Sequence, residues 1–83
     1  MKYKCPCCGY YTYDGEPSGN YDICKVCFWE DDSIQLKDPS YEGGANRVSL
    51  NQARRNYNLF GACEIEIKKY VRTPLEDELN GFE

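Results

Sequence analysis

The residues of this chain best suited to chemistry are two pairs of cysteines near its N-terminus. Cys5 and Cys8 form one C-x-x-C motif, and Cys24 and Cys27 form a second one after fifteen intervening residues. Two such motifs at this spacing are typical of zinc sites, because each turn presents two thiolates and zinc takes four in a tetrahedron. The motifs therefore predict one zinc ion bound by Cys5, Cys8, Cys24 and Cys27.

A β-hairpin is the element predicted to bring the two motifs together. Residues 10–13 and 21–23 are rich in strand formers, and the segment between them is dense in turn residues. Pairing of these two segments would place Cys8 opposite Cys24, with the metal at the open end of the hairpin. Gly9 allows the positive φ that the first turn needs. The second turn has no glycine, and we expect it to be less regular.

The chain has 83 residues, which predicts one small α+β domain covering residues 1–83. A core of this size usually needs a staple such as a metal. We expect a zinc-ribbon-like β-hairpin with two C-x-x-C knuckles, followed by one or two short helices. The predicted parts are a zinc ribbon (1–32), an irregular connection (33–48), a helical part (49–72) and an acidic, frayed tail (73–83).

The clearest predicted helix runs from Leu50 to Phe60. Ser49 and Gln52 fit a capping box at its start, and Gly61 fits a left-handed stop after its end. Leu50, Ala53, Tyr57 and Phe60 recur at helical spacing, and we expect this face to be buried. Residues 63–71 combine features of a strand and of a helix, and we favour a second short helix that ends before Pro74.

Composition excludes several classes of function. The chain has no histidine, which removes the usual general base and every Cys-His or Ser-His nucleophilic pair, so we predict no enzymatic activity. The N-terminus has no apolar leader, no apolar run is long enough to span a membrane, and we expect a monomeric cytoplasmic protein. The remaining thiols, Cys7 and Cys63, are predicted to be neither metal ligands nor a disulfide pair.

The net charge of −4 favours a protein partner over a nucleic acid. Residues 1–46 carry four basic and eight acidic side chains, and only residues 47–72 have a basic excess. That basic part leaves an RNA- or DNA-binding zinc ribbon as an alternative, which would use Arg47, Arg54 and Arg55.

The five residues after the second motif have two interpretations. Two large aromatic side chains there could cover the metal site and exclude water from the sulfurs. Alternatively, aromatic and acidic side chains together could anchor a partner protein. The partner-binding residues predicted in this way are Phe28, Trp29, Glu30, Asp31 and Asp32.

Two resemblances bear on the metal and on the family. The stretch CPCCGYYTY resembles the first knuckle of rubredoxins, which implies a small iron-containing electron carrier as an alternative. Rubredoxins, however, have a glycine after the second pair, where this chain has Phe28. Over residues 5–74 the order of motifs resembles the cysteine-rich CPCC family: CPCCGY, CKVCFWEDD, DPSYEGGANRVSLNQARRNYNLFGAC and KYVRTP.

The resemblance to the CPCC family implies a small, stand-alone bacterial protein with a zinc ribbon, and an association with toxin–immunity loci. Together with the acidic balance, it leads to one prediction of function. The chain is predicted to be a zinc-stabilised, non-catalytic module that binds another protein, with inhibition of a basic bacterial toxin as one concrete form.

Overall fold

The computed structural model describes residues 2–80, and its only sheet within that range has two short strands. Strand β1 (Tyr3–Lys4) pairs antiparallel with β2 (Tyr11–Tyr13). The predicted pairing of residues 10–13 with residues 21–23 is therefore wrong. Ile23 instead bridges to Glu30, on the far side of the second cysteine motif. Each C-x-x-C motif is thus closed by its own flanking residues, because a short loop costs less closure entropy than a long one.

The turn-rich segment after β2 is held by one buried carboxylate. Asp31 Oδ2 accepts hydrogen bonds from the backbone N–H groups of Ser18, Gly19 and Asn20, at 2.8, 2.9 and 3.1 Å. Gly19 is required here, because it has a φ of 97° and a Cβ would lie 2.6 Å from Ser33 Cβ. Asp31 therefore orders a loop that the sequence identified only as turn-rich.

The sequence predicted an irregular connection over residues 33–48, and this is wrong for the first part of the segment. They begin with helix α1 (Ser33–Lys37), whose first turn is capped by Asp32 Oδ1 through Ile34 N at 2.8 Å and Gln35 N at 3.0 Å. Acidic side chains cap helices well, because they accept hydrogen bonds from amides that have no partner in the helix. Asp32, which belongs to a polar segment of the sequence, therefore caps the start of a helix.

The rest of this segment folds around the side chain of Gln35. Its Nε2 lies 3.0–3.1 Å from the carbonyl oxygens of Tyr41, Asn46 and Val48, and its Oε1 accepts from Asn46 Nδ2 at 2.9 Å. The backbone of Gly44 lies close to this side chain, because a Cβ on Gly44 would be 2.9 Å from the Gln35 amide carbon. A buried polar network thus takes the place of regular secondary structure.

Helix α2 (Leu50–Phe60) has the predicted bounds and stop signal. Ser49 Oγ accepts from Gln52 N at 3.0 Å, and Gly61 has a φ of 84°. The second half of the predicted capping box is wrong, because the Gln52 side chain hydrogen-bonds to Asn56 along the helix instead. Of the face predicted to be buried, Leu50 and Ala53 are buried, whereas Tyr57 and Phe60 are half-buried.

The C-terminal part is helical in two short pieces. Residues Ile65–Tyr70 form a 3-10 helix, which confirms the preference for helix over strand, and Glu76–Asn80 form α3. The prediction of a frayed tail is wrong for α3, because Glu78 is buried and both its oxygens bind Arg72 at 2.8 Å. Residues 81–83 of the predicted tail lie outside the described residues.

The core lies between the two cysteine motifs and α2. Its fully buried aromatic members are Tyr13 and Trp29, and the Tyr13 hydroxyl donates to the Trp29 carbonyl oxygen at 2.8 Å. The remaining buried apolar and thiol side chains are those of Cys5, Cys7, Cys24, Val26, Cys27, Leu50, Ala53, Ala62 and Cys63.

Among residues 2–80, no helix is both long and apolar enough to cross a lipid bilayer.

Candidate metal centre

The two cysteine motifs fold into turns with the same backbone hydrogen bonds. In the first turn Cys5 N donates to Tyr10 O at 2.8 Å and Gly9 N donates to Cys5 O at 2.9 Å. In the second, Cys24 N donates to Trp29 O at 3.0 Å and Phe28 N donates to Cys24 O at 2.7 Å. The expectation that the second turn would be less regular is therefore wrong.

Regularity in the second turn comes at a conformational cost. Gly9 has a φ of 83°, and Phe28, at the equivalent position, has a φ of 72°. A non-glycine residue in this left-handed region costs roughly 1–2 kcal/mol, because its Cβ crowds the neighbouring carbonyl. Packing of the Phe28 side chain offsets part of this cost. Its ring lies 5.9 Å from the ring of Tyr70, measured between the two centroids.

The turns bring four sulfur atoms together. The Sγ atoms of Cys5, Cys8, Cys24 and Cys27 all lie within 4.8 Å of one another. Across the two turns, the Cys5–Cys27 and Cys8–Cys24 sulfur pairs are each 3.6 Å apart. A tetrahedron with metal–sulfur bonds of about 2.3 Å has edges of about 3.8 Å. The four cysteines are therefore positioned to hold one metal ion, as the sequence predicted.

Hydrogen bonds to sulfur orient the donors. Cys7 N lies 3.4 Å from Cys5 Sγ, and Cys27 N lies 3.5 Å from Cys24 Sγ, so each turn directs a backbone amide at its first sulfur. Thr12 Oγ1 also donates to Cys24 Sγ, at 2.9 Å. Donors of this kind stabilise a thiolate over a thiol and fix its direction, as neighbouring groups do in metal sites.

Repulsion among the four cysteine thiolates favours the binding of a cation. Hydrogen bonds from Cys27 and then from Cys5 lower the pKa of Cys24, whereas the hydrogen bond with Cys24 raises the pKa of Cys8 and of Cys27. Four thiols in mutual contact cannot all ionise on their own, because each thiolate opposes the next. A bound dication would relieve this repulsion and leave all four sulfurs as thiolates.

Groups from the C-terminal half hold the backbone of both turns. Arg54 Nε donates to Pro6 O at 2.8 Å, and Cys63 N donates to Cys27 O at 2.8 Å. Tyr57 packs edge-on against Tyr10, at 6.3 Å between ring centroids. The position of α2 and of the segment that follows it is thus tied directly to the two cysteine turns.

The two remaining thiols lie beside the centre but outside it. Cys7 and Cys63 are buried and are not part of the four-sulfur group, and no disulfide joins any of the six cysteines. Burial, with the nearby charge of Glu64, raises the pKa of Cys63 to about 12. Cys63 is therefore a protonated thiol near neutral pH, and its exclusion from the metal stays a prediction.

The five residues predicted to bind a partner do not form a surface. Trp29 is 0% exposed and Asp31 is 1% exposed, while Asp32 is also buried. The reason is that the indole fills the core and both carboxylates accept backbone hydrogen bonds, so that prediction is wrong for these three residues. Phe28 and Glu30 are half-buried at the edge of the molecule.

Three groups at the centre were missed in the sequence. No local sequence pattern indicates the roles of Arg54 and Thr12. Their hydrogen-bond partners, the Pro6 carbonyl oxygen and Cys24 Sγ, are distant in the chain. Phe28 did carry one: it follows the second cysteine of its motif, as Gly9 follows Cys8 in the first. Aligning the two motifs with each other would have predicted its positive φ.

The chain matches a known protein family over most of its length. A family profile described as Cysteine-rich CPCC matches residues 3–78, which includes both cysteine turns and α2. The match extends beyond Pro74, where the resemblance seen in the sequence ended, and takes in Glu78 of α3. No curated protein matches the chain.

Proposed function

The chain belongs to the cysteine-rich CPCC family, and we propose that it is a zinc-stabilised, non-catalytic module that binds another protein. One zinc ion, held by Cys5, Cys8, Cys24 and Cys27, would complete a zinc-ribbon-like fold. When bound, the metal supplies a cross-link between the two cysteine turns and no redox chemistry.

One observation carries the zinc proposal. Four sulfurs converge with separations close to the edges of a zinc–thiolate tetrahedron, and three of the four cysteines are buried. A closed set of four protein ligands is typical of structural zinc sites, whereas catalytic sites keep a position open for water or substrate. The geometry therefore supports a structural metal.

The charged residues near the core support a non-catalytic module. The buried carboxylates of Asp31, Asp32 and Glu78 all accept hydrogen bonds from backbone amides, and Glu78 also binds Arg72. A general acid or base needs a free group within reach of a substrate. Each of these three carboxylates instead holds a loop or a helix end through at least one oxygen, and the second oxygen of Asp31, Oδ1, is buried without a hydrogen-bond partner among the described residues.

A protein partner is favoured over a nucleic acid by how the arginines are used. Arg47 forms ion pairs with Glu64 and Glu66, and Arg54 is bonded to a backbone carbonyl of the first turn. Arginines engaged in this way offer less to phosphates, and the net charge of −4 repels nucleic acid. An acidic protein instead attracts basic partners, and a basic bacterial toxin would be one.

Metal analysis of the purified protein tests the first half of the proposal. We expect one zinc per chain, a colourless protein, and loss of the metal in Cys8→Ser but not in Cys63→Ser. A red protein with about one iron per chain would replace this proposal with the rubredoxin-like electron carrier. Salt-sensitive binding to RNA that is lost in Arg47→Ala and Arg55→Ala would refute the protein-binding half.

A further inference from the structure

A groove of about 450 Å³ opens where the sequence predicted a paired hairpin. One wall is β2 and the residue after it, and the other is the segment from Tyr21 to Ile23. The two walls are in contact at the Cys24 end, where Thr12 Oγ1 donates to Cys24 Sγ at 2.9 Å. Each wall pairs on its outer side with another segment, so the two leave a gap between them.

The backbone of Ile23 is available in this groove. The hydrogen bonds on either side of Ile23 run to its other neighbour, from Cys24 N to Trp29 O at 3.0 Å and from Asp31 N to Asp22 O at 2.9 Å. In such an antiparallel bridge, the N–H and C=O of the central residue point to the opposite edge. Within residues 2–80 neither group has a hydrogen-bond partner, and Ile23 is 45% exposed.

Two strained aromatic residues line the same groove. Tyr21 and Phe28 have φ values of 64° and 72°, and within the described part of the chain they are the only non-glycine residues with positive φ. Glycine would avoid the steric cost at either position; Phe28 packs against Tyr70, whereas the aromatic ring at Tyr21 needs another reason. The Tyr21 ring is 60% exposed and cannot owe its place to the core.

Two oppositely charged side chains of the groove lie on either side of Ile23 in the chain. Asp22 precedes Ile23, is half-buried and forms no ion pair with any described residue. Lys25 follows it, next to Cys24, and is likewise unpaired among residues 2–80, whereas the third charged lining residue, Asp14, pairs with Lys2. Complementary charges on a ligand would therefore fix its direction as well as its affinity.

We propose that this groove is the docking site for an extended segment of a partner protein, an inference that rests on the protein-binding function proposed above. The segment adds to the free edge at Ile23 as an antiparallel strand and packs apolar side chains against Tyr21 and Phe28. Antiparallel addition places its N-terminal end near Lys25 and its C-terminal end near Asp22. The complementary segment is therefore acidic, then apolar, then basic.

Titration of the metal-loaded, isotope-labelled full chain with a synthetic peptide tests the proposal. The probe alternates valine with threonine between an N-terminal glutamate and a C-terminal arginine, and the control peptide has these two charges exchanged. We expect the Ile23 amide signal to shift and become protected from exchange, with about tenfold weaker binding of the control peptide. No shift at Ile23 with either peptide at about 1 mM would overturn the proposal.

Substitution of Tyr21 separates binding from folding. Tyr21→Gly relieves the backbone strain, so we expect unchanged metal content and equal or higher thermal stability, with about tenfold weaker binding of the probe. Leu59→Ala, at an exposed position outside the groove, should leave binding unchanged. Equal binding by Tyr21→Gly and the unsubstituted chain would refute the docking site.

The two proposals fail in different ways. A chain that binds no zinc, or that binds RNA through its arginines, contradicts the proposed function whatever the peptides do. A zinc-loaded chain that ignores both peptides contradicts the groove alone. A peptide that binds but perturbs residues outside the groove, and not Ile23, also contradicts it.

Discussion

At the scale of single residues, the four cysteines of the site could be predicted from the sequence, whereas the roles of Phe28 and Asp31 could not. The spacing of Cys5, Cys8, Cys24 and Cys27 was enough to predict the metal donors, because the ligand geometry of a C-x-x-C turn is local. Phe28 was misjudged, since glycine is the usual choice for positive φ. Asp31 was also misjudged, because an acidic residue is rarely buried unless it has partners, and its partners here are backbone amides that no sequence pattern displays.

The first prediction concerns the six thiols. We expect Cys5→Ser, Cys8→Ser, Cys24→Ser and Cys27→Ser each to lose the metal, since each removes one of four converging sulfurs. Cys7→Ser and Cys63→Ser serve as matched controls and should retain one ion per chain. Metal analysis after dialysis measures this, and a Cys7→Ser protein without metal would show that the first turn is assigned wrongly.

A second prediction concerns the carboxylate that orders the loop after β2. Asp31→Asn removes a charge that accepts three amide hydrogen bonds, and we expect the metal-loaded protein to lose about 2 kcal/mol of unfolding free energy. Asp22→Asn, whose side chain accepts no hydrogen bond among the described residues, should cost much less. Urea denaturation of both variants gives the comparison, and equal losses would contradict the role of Asp31.

At the scale of elements, local signals predicted α2 closely and the segments around it poorly. Ser49, Gly61 and the apolar period are contained within α2 itself, and they fix its bounds. Helix α1 and the segment after it depend on Gln35, whose partners lie up to thirteen residues away. The pairing of β2 failed for a related reason, because two strand-like segments each found a nearer partner than one another.

The two halves of the predicted capping box lead to a third prediction. We expect Ser49→Ala to lower the unfolding free energy by about 1 kcal/mol, because it removes the acceptor of Gln52 N. Gln52→Ala should change it much less, since that side chain does not return to Ser49. Thermal denaturation of the two metal-loaded variants distinguishes them, and a larger loss for Gln52→Ala would contradict the observed cap.

Attachment of α3 to β2 provides a prediction about pH. Hydrogen bonds from Arg72 and from Leu75 N lower the pKa of Glu78 below its unfolded value of about 4.3. This contribution is therefore complete above that pH and is lost as the pH falls through the folded pKa. We expect Glu78→Gln to be less stable than the unsubstituted chain at pH 7, and the difference to shrink on acidification.

Unfolding of both proteins at neutral pH and near pH 4 measures this difference. Metal analysis at each pH confines the comparison to conditions in which both chains keep the ion. A difference that stays constant with pH would show that Glu78 acts by packing and not by charge.

At the scale of the whole molecule, the core is built around the cysteine turns and cannot be separated from them. Six of its buried side chains belong to the two turns: Cys5, Cys7, Cys24, Val26, Cys27 and Trp29. The overall class, a two-stranded hairpin with short helices around clustered cysteines, followed from the motifs and the length. The exposed surface could not be predicted in the same way, because burial of the residues after Cys27 depends on how all elements pack.

Removal of the metal gives the prediction at this scale. A structural zinc contributes about 10–16 kcal/mol in apparent terms, whereas a core of this size contributes about 3–5 kcal/mol. We therefore expect a chelator to abolish amide protection in α2 as well as in the cysteine turns. Circular dichroism and amide exchange monitor the loss, and re-addition of zinc should restore it. Protection of α2 that persists in the chelator would contradict a shared core.

The separate closure of the two cysteine turns also sets an order of events during synthesis. The backbone hydrogen bonds that close each turn on itself lie inside residues 3–31, and all four sulfur donors precede α2 in the chain. The ribosome releases a chain from its N-terminus at about 5–20 residues per second, which is slow compared with the closure of a short loop. All four cysteines that could hold a metal would thus be available before Leu50 leaves the exit tunnel. We expect substitutions in α2 to slow the docking of this helix without delaying uptake of the metal.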